Sequence, residues 1–243
     1  MWVAASALIQ GTSHVKENKP CQDSLFYIID NDSCCIALAD GAGSCDYSEV
    51  GANISCQSIC EIINREFDKI FAMDISELKL KIIHRIRTRL GMKAKTLDTK
   101  KSELSSTLLF FAIKENKYIM GHIGDGLIAL LKDGDLRVLS FPENGEFINT
   151  TYFTTSKNYL THLRIQRGEF SDIKAIFMMS DGAADCLYQR KEKRLAPALK
   201  TISEWIDTND INDVNEALQH NMQELFTKHT SDDCSLIILQ NKP

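Results

Sequence analysis

Four short segments set an aspartate against the end of an apolar run: CQDS (Cys21 to Ser24), CCIALADGAGS (Cys34 to Ser44), AIFMMSDGAADCL (Ala175 to Leu187) and SDDCSLIIL (Ser231 to Leu239). A carboxylate so placed sits where a buried strand gives way to a loop. Neighbouring strands can then converge their acids on one point. Oxygen donors suit hard divalent cations, and two such ions can activate water and hold a phosphoryl group. The chemistry expected of these residues is metal-assisted hydrolysis of a phosphate ester.

Each segment also has a plainer explanation. Asp40-Gly41-Ala42-Gly43 reads either as a close approach of backbone to an ion or phosphate, or as a simple turn. Asp181-Gly182 repeats the pattern, and Asp181 would also serve as the N-cap of a following helix. Asp232 and Asp233 are adjacent carboxylates, which repel unless solvated or neutralised by a cation. The run Gly121-His122-Ile123-Gly124-Asp125-Gly126 lies between two strand patterns and is equally consistent with a hairpin or a site. His14 falls in a polar loop close to Asp23 in sequence. Ser105-Ser106-Thr107 opens a strand with no acid and histidine spaced around it as a triad, so it reads as structure.

The elements that must position these residues follow from periodicity. Trp2 to Ile9, Ser24 to Ile29 and Cys34 to Ala39 are short apolar or β-branched runs divided by turns such as Asp30-Asn31-Asp32. Ala52, Cys56, Ile59, Ile63, Phe67 and Ile70, then Ile75, Leu78, Ile82, Ile86 and Leu90, recur at helical spacing and predict two amphipathic helices. Ser106 to Ile113, Tyr118 to Ile123, Leu127 to Leu131 and Leu136 to Leu139, with joints of hairpin length, predict an antiparallel meander. Pro142 to Gln166, with Asn144-Gly145, is polar and predicts a flap followed by one or two strands. Ala175 to Met179 predicts a buried strand, Ala183 to Gln189, Pro197 to Ile206 and Ile211 to Leu225 predict helices, and Cys234 to Leu239 a closing strand. The expected fold class is α+β: two packed antiparallel β-sheets flanked by α-helices, a four-layer αββα sandwich.

The 243 residues contain no Pro, Gly or Ser-rich linker, so residues 1-243 are expected to form a single domain. Hydrophobic residues at 44% and charged residues at 25% exclude a disordered chain. A net charge of -5 argues against nucleic acid as a partner, and Lys93, Lys95, Lys100 and Lys101 read as a solvated helix end and loop. Met1 to Gln10 lacks a basic leader and reads as a first strand, and no apolar run is long enough to span a membrane. The eight cysteines lack zinc-ligand spacing, so buried reduced thiols and a cytoplasmic location are expected.

Taken in order, these segments resemble the metal-dependent serine/threonine phosphatases of the protein phosphatase 2C (PPM) family, in its compact bacterial form. CQDS resembles the first acidic motif, LADGAGS the DGxGG segment, SSTLLF the GST-type strand, GHIGDGL the GDS-type turn, MMSDGAAD the SDG motif and SDDCSLIIL the terminal DN-type motif, from about Gly11 to Leu239. The resemblance implies two Mn2+ or Mg2+ ions that activate a water for attack on phosphoserine or phosphothreonine. By it, Asp40 bridges both ions and the Gly41 carbonyl binds the second, while Asp181 and Asp232 hold the first. Asp23 contacts the second through water, and Asp125 with Asp181 holds a weaker third. Asp40, Asp181 and Asp232 are thus the expected catalytic residues. A phosphoprotein substrate and a cognate serine/threonine kinase are the implied partners. Asn18 stands where the family often has a phosphate-gripping arginine, which leaves His14 as the expected phosphate ligand, with Lys16 and Lys19 competing. Ala42 and Leu127 stand where a histidine and an arginine are often found. A non-catalytic binding module of the same fold and a small-molecule phosphohydrolase are the alternatives.

Overall fold

The computed structural model describes residues 1–30, 33–143 and 151–242. The chain begins with β1 (Trp2–Ile9), α1 (Thr12–Glu17), β2 (Ser24–Ile29) and β3 (Cys34–Ala39), then the long helices α2 (Ser48–Ala72) and α3 (Ile75–Thr96). Next come β4 (Leu108–Lys114), β5 (Lys117–Ile123), β6 (Leu127–Lys132) and β7 (Asp135–Ser140), followed by α4 (Tyr159–His162), β8 (Arg164–Glu169) and β9 (Ile173–Met179). It closes with α5 (Asp181–Leu187), the short pair β10 (Tyr188–Gln189) and β11 (Arg194–Leu195), α6 (Ala198–Thr208), α7 (Ile211–Leu225) and β12 (Cys234–Asn241).

Two five-stranded sheets form, in the orders β1-β12-β9-β6-β7 and β2-β3-β4-β5-β8, with antiparallel neighbours throughout. The two-residue period of a strand explains why the central runs are apolar without a break. In β3, Cys34, Ile36 and Leu38 face the other sheet, while Cys35, Ala37 and Ala39 pack toward α2 and α3. In β12, Ile237 and Leu239 face the intersheet core, while Leu236 and Ile238 pack toward α6 and α7. Both faces are covered, giving the four αββα layers expected.

The helices supply their covers as their spacing predicts. Cys56, Ile59, Ile63 and Ile70 of α2 and Leu78, Ile82, Ile86 and Leu90 of α3 are fully enclosed. Each such side chain contributes roughly 1.5–3 kcal/mol by leaving water. Asp74 caps α3 by accepting from the Ser76 amide at 2.8 Å, and Asp210 caps α7 by accepting from the Asn212 amide at 2.8 Å. No helix among the described residues is long and apolar enough to cross a membrane.

Several expectations are corrected. The four strands after α3 are not one meander: β4 and β5 pair in one sheet, β6 and β7 in the other. The chain changes sheets at Gly124 to Gly126, where Gly124 takes φ 119° and a Cβ would meet the Thr107 side chain at 2.5 Å. Only glycine fits there. His14 lies on the short α1, not in a loop. The helix expected to reach Gln189 stops at Leu187, because Tyr188 and Gln189 pair with Leu195 and Arg194. Asn31-Asp32 and 144–150, including Asn144-Gly145 of the expected flap, lie outside the described residues. Of the remainder of that flap region, 159–162 is helical and β8 is its one strand. The eight thiols are free, and five of them, Cys34, Cys35, Cys56, Cys60 and Cys234, are buried.

Candidate metal centre

Strand registers bring the acids together. Ser24 pairs with Ala39, so Asp23 and Asp40 extend from the same end of the β2-β3 pair. Leu108 pairs with Ile123, which places Asp125 beyond that same end. In the other sheet Leu236 pairs with Met179, so Asp181 and Asp232 leave β9 and β12 side by side. These ends open on one cleft of about 490 Å3, lined by His14, Gln22, Asp40, Gly41, Asp125, Asp181 and Asp232 among others.

Carboxylate oxygens of Asp40, Asp125 and Asp181 lie within 4.8 Å of one another. Each is fixed by its neighbours. The Asp40 amide donates to Thr107 Oγ1 at 2.8 Å and its carbonyl accepts from the Thr107 amide at 2.8 Å. Asp181 accepts from the Gly182 amide at 2.7 Å, Asp232 accepts from the Asp233 amide at 2.9 Å, and Asp125 accepts from the Thr151 hydroxyl. Gly41 is squeezed between Gln22 and Ser48, where a Cβ would come within 2.8 Å of each. Asp23 lies behind the cleft, buried, and neither of its carboxylate oxygens has a hydrogen-bond partner.

Crowding acids away from water disfavours their charged forms. Burial pushes Asp23 up to about 8, reinforced by the charges of Asp233 and Asp181. Burial raises Asp181 to about 7, with Asp125 and Asp232 adding to it. Asp40 is raised well above its ordinary value by burial and then by Asp23, Asp181, Asp125 and Asp232. Asp232, at the exposed rim, is raised by the protein packed around it and by Asp233. An all-oxygen donor set whose charges are mutually uncompensated, with two orphaned oxygens behind it, fits hard divalent cations.

The two adjacent aspartates divide. Asp232 faces the cleft, whereas Asp233 is buried and accepts from the amides of Gly11 and Gln22, each at 2.6 Å, and contacts His14 Nδ1 at 2.9 Å. Asp233 thus ties α1 and the Asp23 loop to the start of β12. With Nδ1 engaged, Nε2 is the remaining ring nitrogen of His14. Lys16 is exposed and outside the cleft lining, and Lys19 pairs with Glu17 at 2.8 Å. Among the described lining residues His14 is the one side chain able to carry positive charge.

A family model described as Protein phosphatase 2C matches residues 10–224, most of the chain. The chain belongs to the protein phosphatase 2C family. A curated relative, Serine/threonine-protein phosphatase 3 of Escherichia coli (strain K12), is 24% identical over 169 residues, covering 67% of this chain and 66% of that protein, just under two thirds of its length. Two solved structures are similar in fold. The catalytic domain of the serine threonine protein phosphatase PstP, solved with two manganese ions, matches with a TM-score of 0.66 at 16% identity, over 100% of this chain and 99% of that one. Stp1 of Staphylococcus aureus, a serine/threonine phosphatase, matches with a TM-score of 0.66 at 13% identity, over 100% and 96%.

Within this protein phosphatase 2C fold, sequence reasoning missed three residues that shape the cleft. Thr107 fastens Asp40, Thr151 fastens Asp125, and Asp233 fastens His14 and the Asp23 loop. Thr151 carries no signal of its own, and Thr107 reads in sequence only as part of the strand opening at Ser105-Ser106-Thr107. Asp233 carries one, as the second of two adjacent acids.

Proposed function

We propose that this chain is a metal-dependent serine/threonine protein phosphatase, with residues 1-243 as one catalytic domain working in the cytoplasm on phosphoproteins made by a cognate kinase. The observation that carries this reading is the convergence of Asp40, Asp125, Asp181 and Asp232 on one open cleft, in a chain of this family. Asp40, Asp181 and Asp232 with the Gly41 carbonyl are the ligands proposed for two Mn2+ or Mg2+ ions. Asp125 with Asp181 is proposed for a weaker third, and Asp23 for a water-mediated contact from behind. The ions would supply a water acidic enough to act as nucleophile at neutral pH, and positive charge to offset that of the phosphoryl oxygens.

The chain's own residues do the rest. Thr107 holds the Asp40 backbone and Thr151 the Asp125 carboxylate, so the chain carrying the one acid and the side chain of the other are positioned before any ion arrives. His14 sits at the cleft wall with Nδ1 on Asp233, which orients Nε2; only as the imidazolium does Nε2 donate, to a phosphate oxygen or to the leaving serine or threonine oxygen. The open cleft suits a side chain presented by a peptide better than a buried small molecule. Mn2+-dependent phosphate release from a phosphothreonine peptide, set beside nucleotide and sugar phosphates, tests the reading. Faster turnover of the small molecules would make the chain a small-molecule phosphohydrolase, and none on any substrate would make it a binding module.

A further inference from the structure

A second concavity, an open groove of about 760 Å3, runs along the outer face of α3 between the end of α2 and Tyr159. Its wall carries Lys69, Lys81, Arg87 and Lys101 against one carboxylate, Glu77. Lys81 is paired with Glu66 at 2.6 Å, but Lys69, Arg87 and Lys101 make no ion pair among the described residues. Arg87 is held in place: its Nη1 donates to the carbonyls of Thr154 at 3.1 Å and Ser156 at 3.3 Å, and its guanidinium lies 4.6 Å from the Tyr159 ring centre. Arg87 and Lys101 line the same groove and neither makes an ion pair among the described residues, and partial burial, then the Arg87 charge, lower the Lys101 ammonium below its ordinary value. Like charges held together repel, and an anion entering the groove removes that cost.

The location gives the groove a use. Thr154 and Ser156 belong to the segment that carries Thr151 and Phe153 into the metal cleft and Tyr159 into the groove. The two concavities therefore flank one stretch of chain. On a protein of net charge -5 a cationic groove selects an acidic ligand, while the overall charge repels a long polyanion. Leu80, 51% exposed, and Met73 add apolar surface of the kind a peptide covers.

We propose that this groove docks an acidic stretch of the phosphoprotein substrate, at a distance along the chain from its phosphorylated residue. The proposal rests on the phosphatase reading for its purpose, but the binding it claims is measurable without catalysis. The test is fluorescence anisotropy of a short unphosphorylated peptide rich in Asp and Glu, and of its Ser-substituted neutral counterpart. Both are titrated with wild type and with Lys69→Glu/Lys101→Glu, whose sites are exposed and half-buried. Wild type should bind the acidic peptide about tenfold more tightly than the neutral one, a difference of about 1.4 kcal/mol, and the double variant should lose that preference. Hydrolysis of p-nitrophenyl phosphate should be unchanged in the variant. Equal affinity for the two peptides, or a preference that survives the double substitution, would overturn the proposal. So would tighter binding of a single-stranded oligonucleotide of the same charge. The milder Lys69→Gln/Lys101→Gln pair, checked by its melting temperature, separates loss of docking from loss of fold. Wild type inert toward p-nitrophenyl phosphate at saturating Mn2+ would count against the phosphatase reading alone and leave the binding result standing.

Discussion

Burial and mutual repulsion set Asp23 at about 8 and Asp181 at about 7, against an ordinary value of 3.8. In the absence of metal the folded state therefore holds protons that the unfolded chain releases near pH 4. The stability these groups contribute is fully present below that pH and is lost as pH rises through 7 to 8. With chelator present, wild type should lose melting temperature between about pH 5 and pH 8 relative to Asp23→Asn, which cannot acquire the charge. Mn2+ should restore it, most strongly at the alkaline end. Parallel curves for the two proteins across that window would contradict the electrostatic account. His14→Ala should lower turnover about tenfold or more while leaving metal affinity nearly unchanged, as steady-state kinetics and Mn2+ titration would show; unaltered kcat and KM would remove His14 from the chemistry. Asp233→Ala strands the amides of Gly11 and Gln22 and frees His14, and should cost roughly 3 kcal/mol or more in urea unfolding. The cleft acids were legible in sequence because each stands at the end of an apolar run. Asp233's task was not, since its partners lie more than 200 positions away and meet it only through strand pairing.

The α2 and α3 faces and the strands β3, β9 and β12 are written in residue spacing and stand where it places them. What spacing does not carry is which strands pair. The β5-β6 joint has the length of a hairpin, yet Gly124 and Gly126 let the chain leave one sheet and enter the other, and this change of sheet places Asp125 beside Asp181. Gly124→Ala would force a side chain into φ 119° and against Thr107, the residue that holds Asp40. A destabilisation of roughly 1–3 kcal/mol is expected, with metal affinity falling along with it. Chemical denaturation and Mn2+ titration of the variant check both. A variant as stable as wild type with unchanged metal binding would show that the crossing tolerates a Cβ and does not set the site.

Across the whole molecule, both sheets contribute to one cluster of acids, so ions bound there join the two halves of the sandwich. Ions that bind the folded form and not the unfolded chain stabilise it, so under the proposed reading Mn2+ should raise the melting temperature of wild type. In Asp40→Asn the rise should be lost, and the metal-free variant should melt above metal-free wild type at alkaline pH, because a repulsive charge is gone. The basic groove beside α3 shows the limit of reading charge along a sequence. Lys101 belongs to a run that looked like solvated surface, yet folding brings it to Arg87 and Tyr159. The central claim, that the converged aspartates hold ions that hydrolyse phosphoproteins, is tested most directly by phosphate release from a phosphothreonine peptide by wild type, Asp40→Asn and Asp181→Asn, with chelator and with Mn2+. Release by wild type that requires Mn2+, together with a fall on the order of a thousandfold in each variant, is the expected result. Release that persists in chelator, or that survives either substitution, would contradict it.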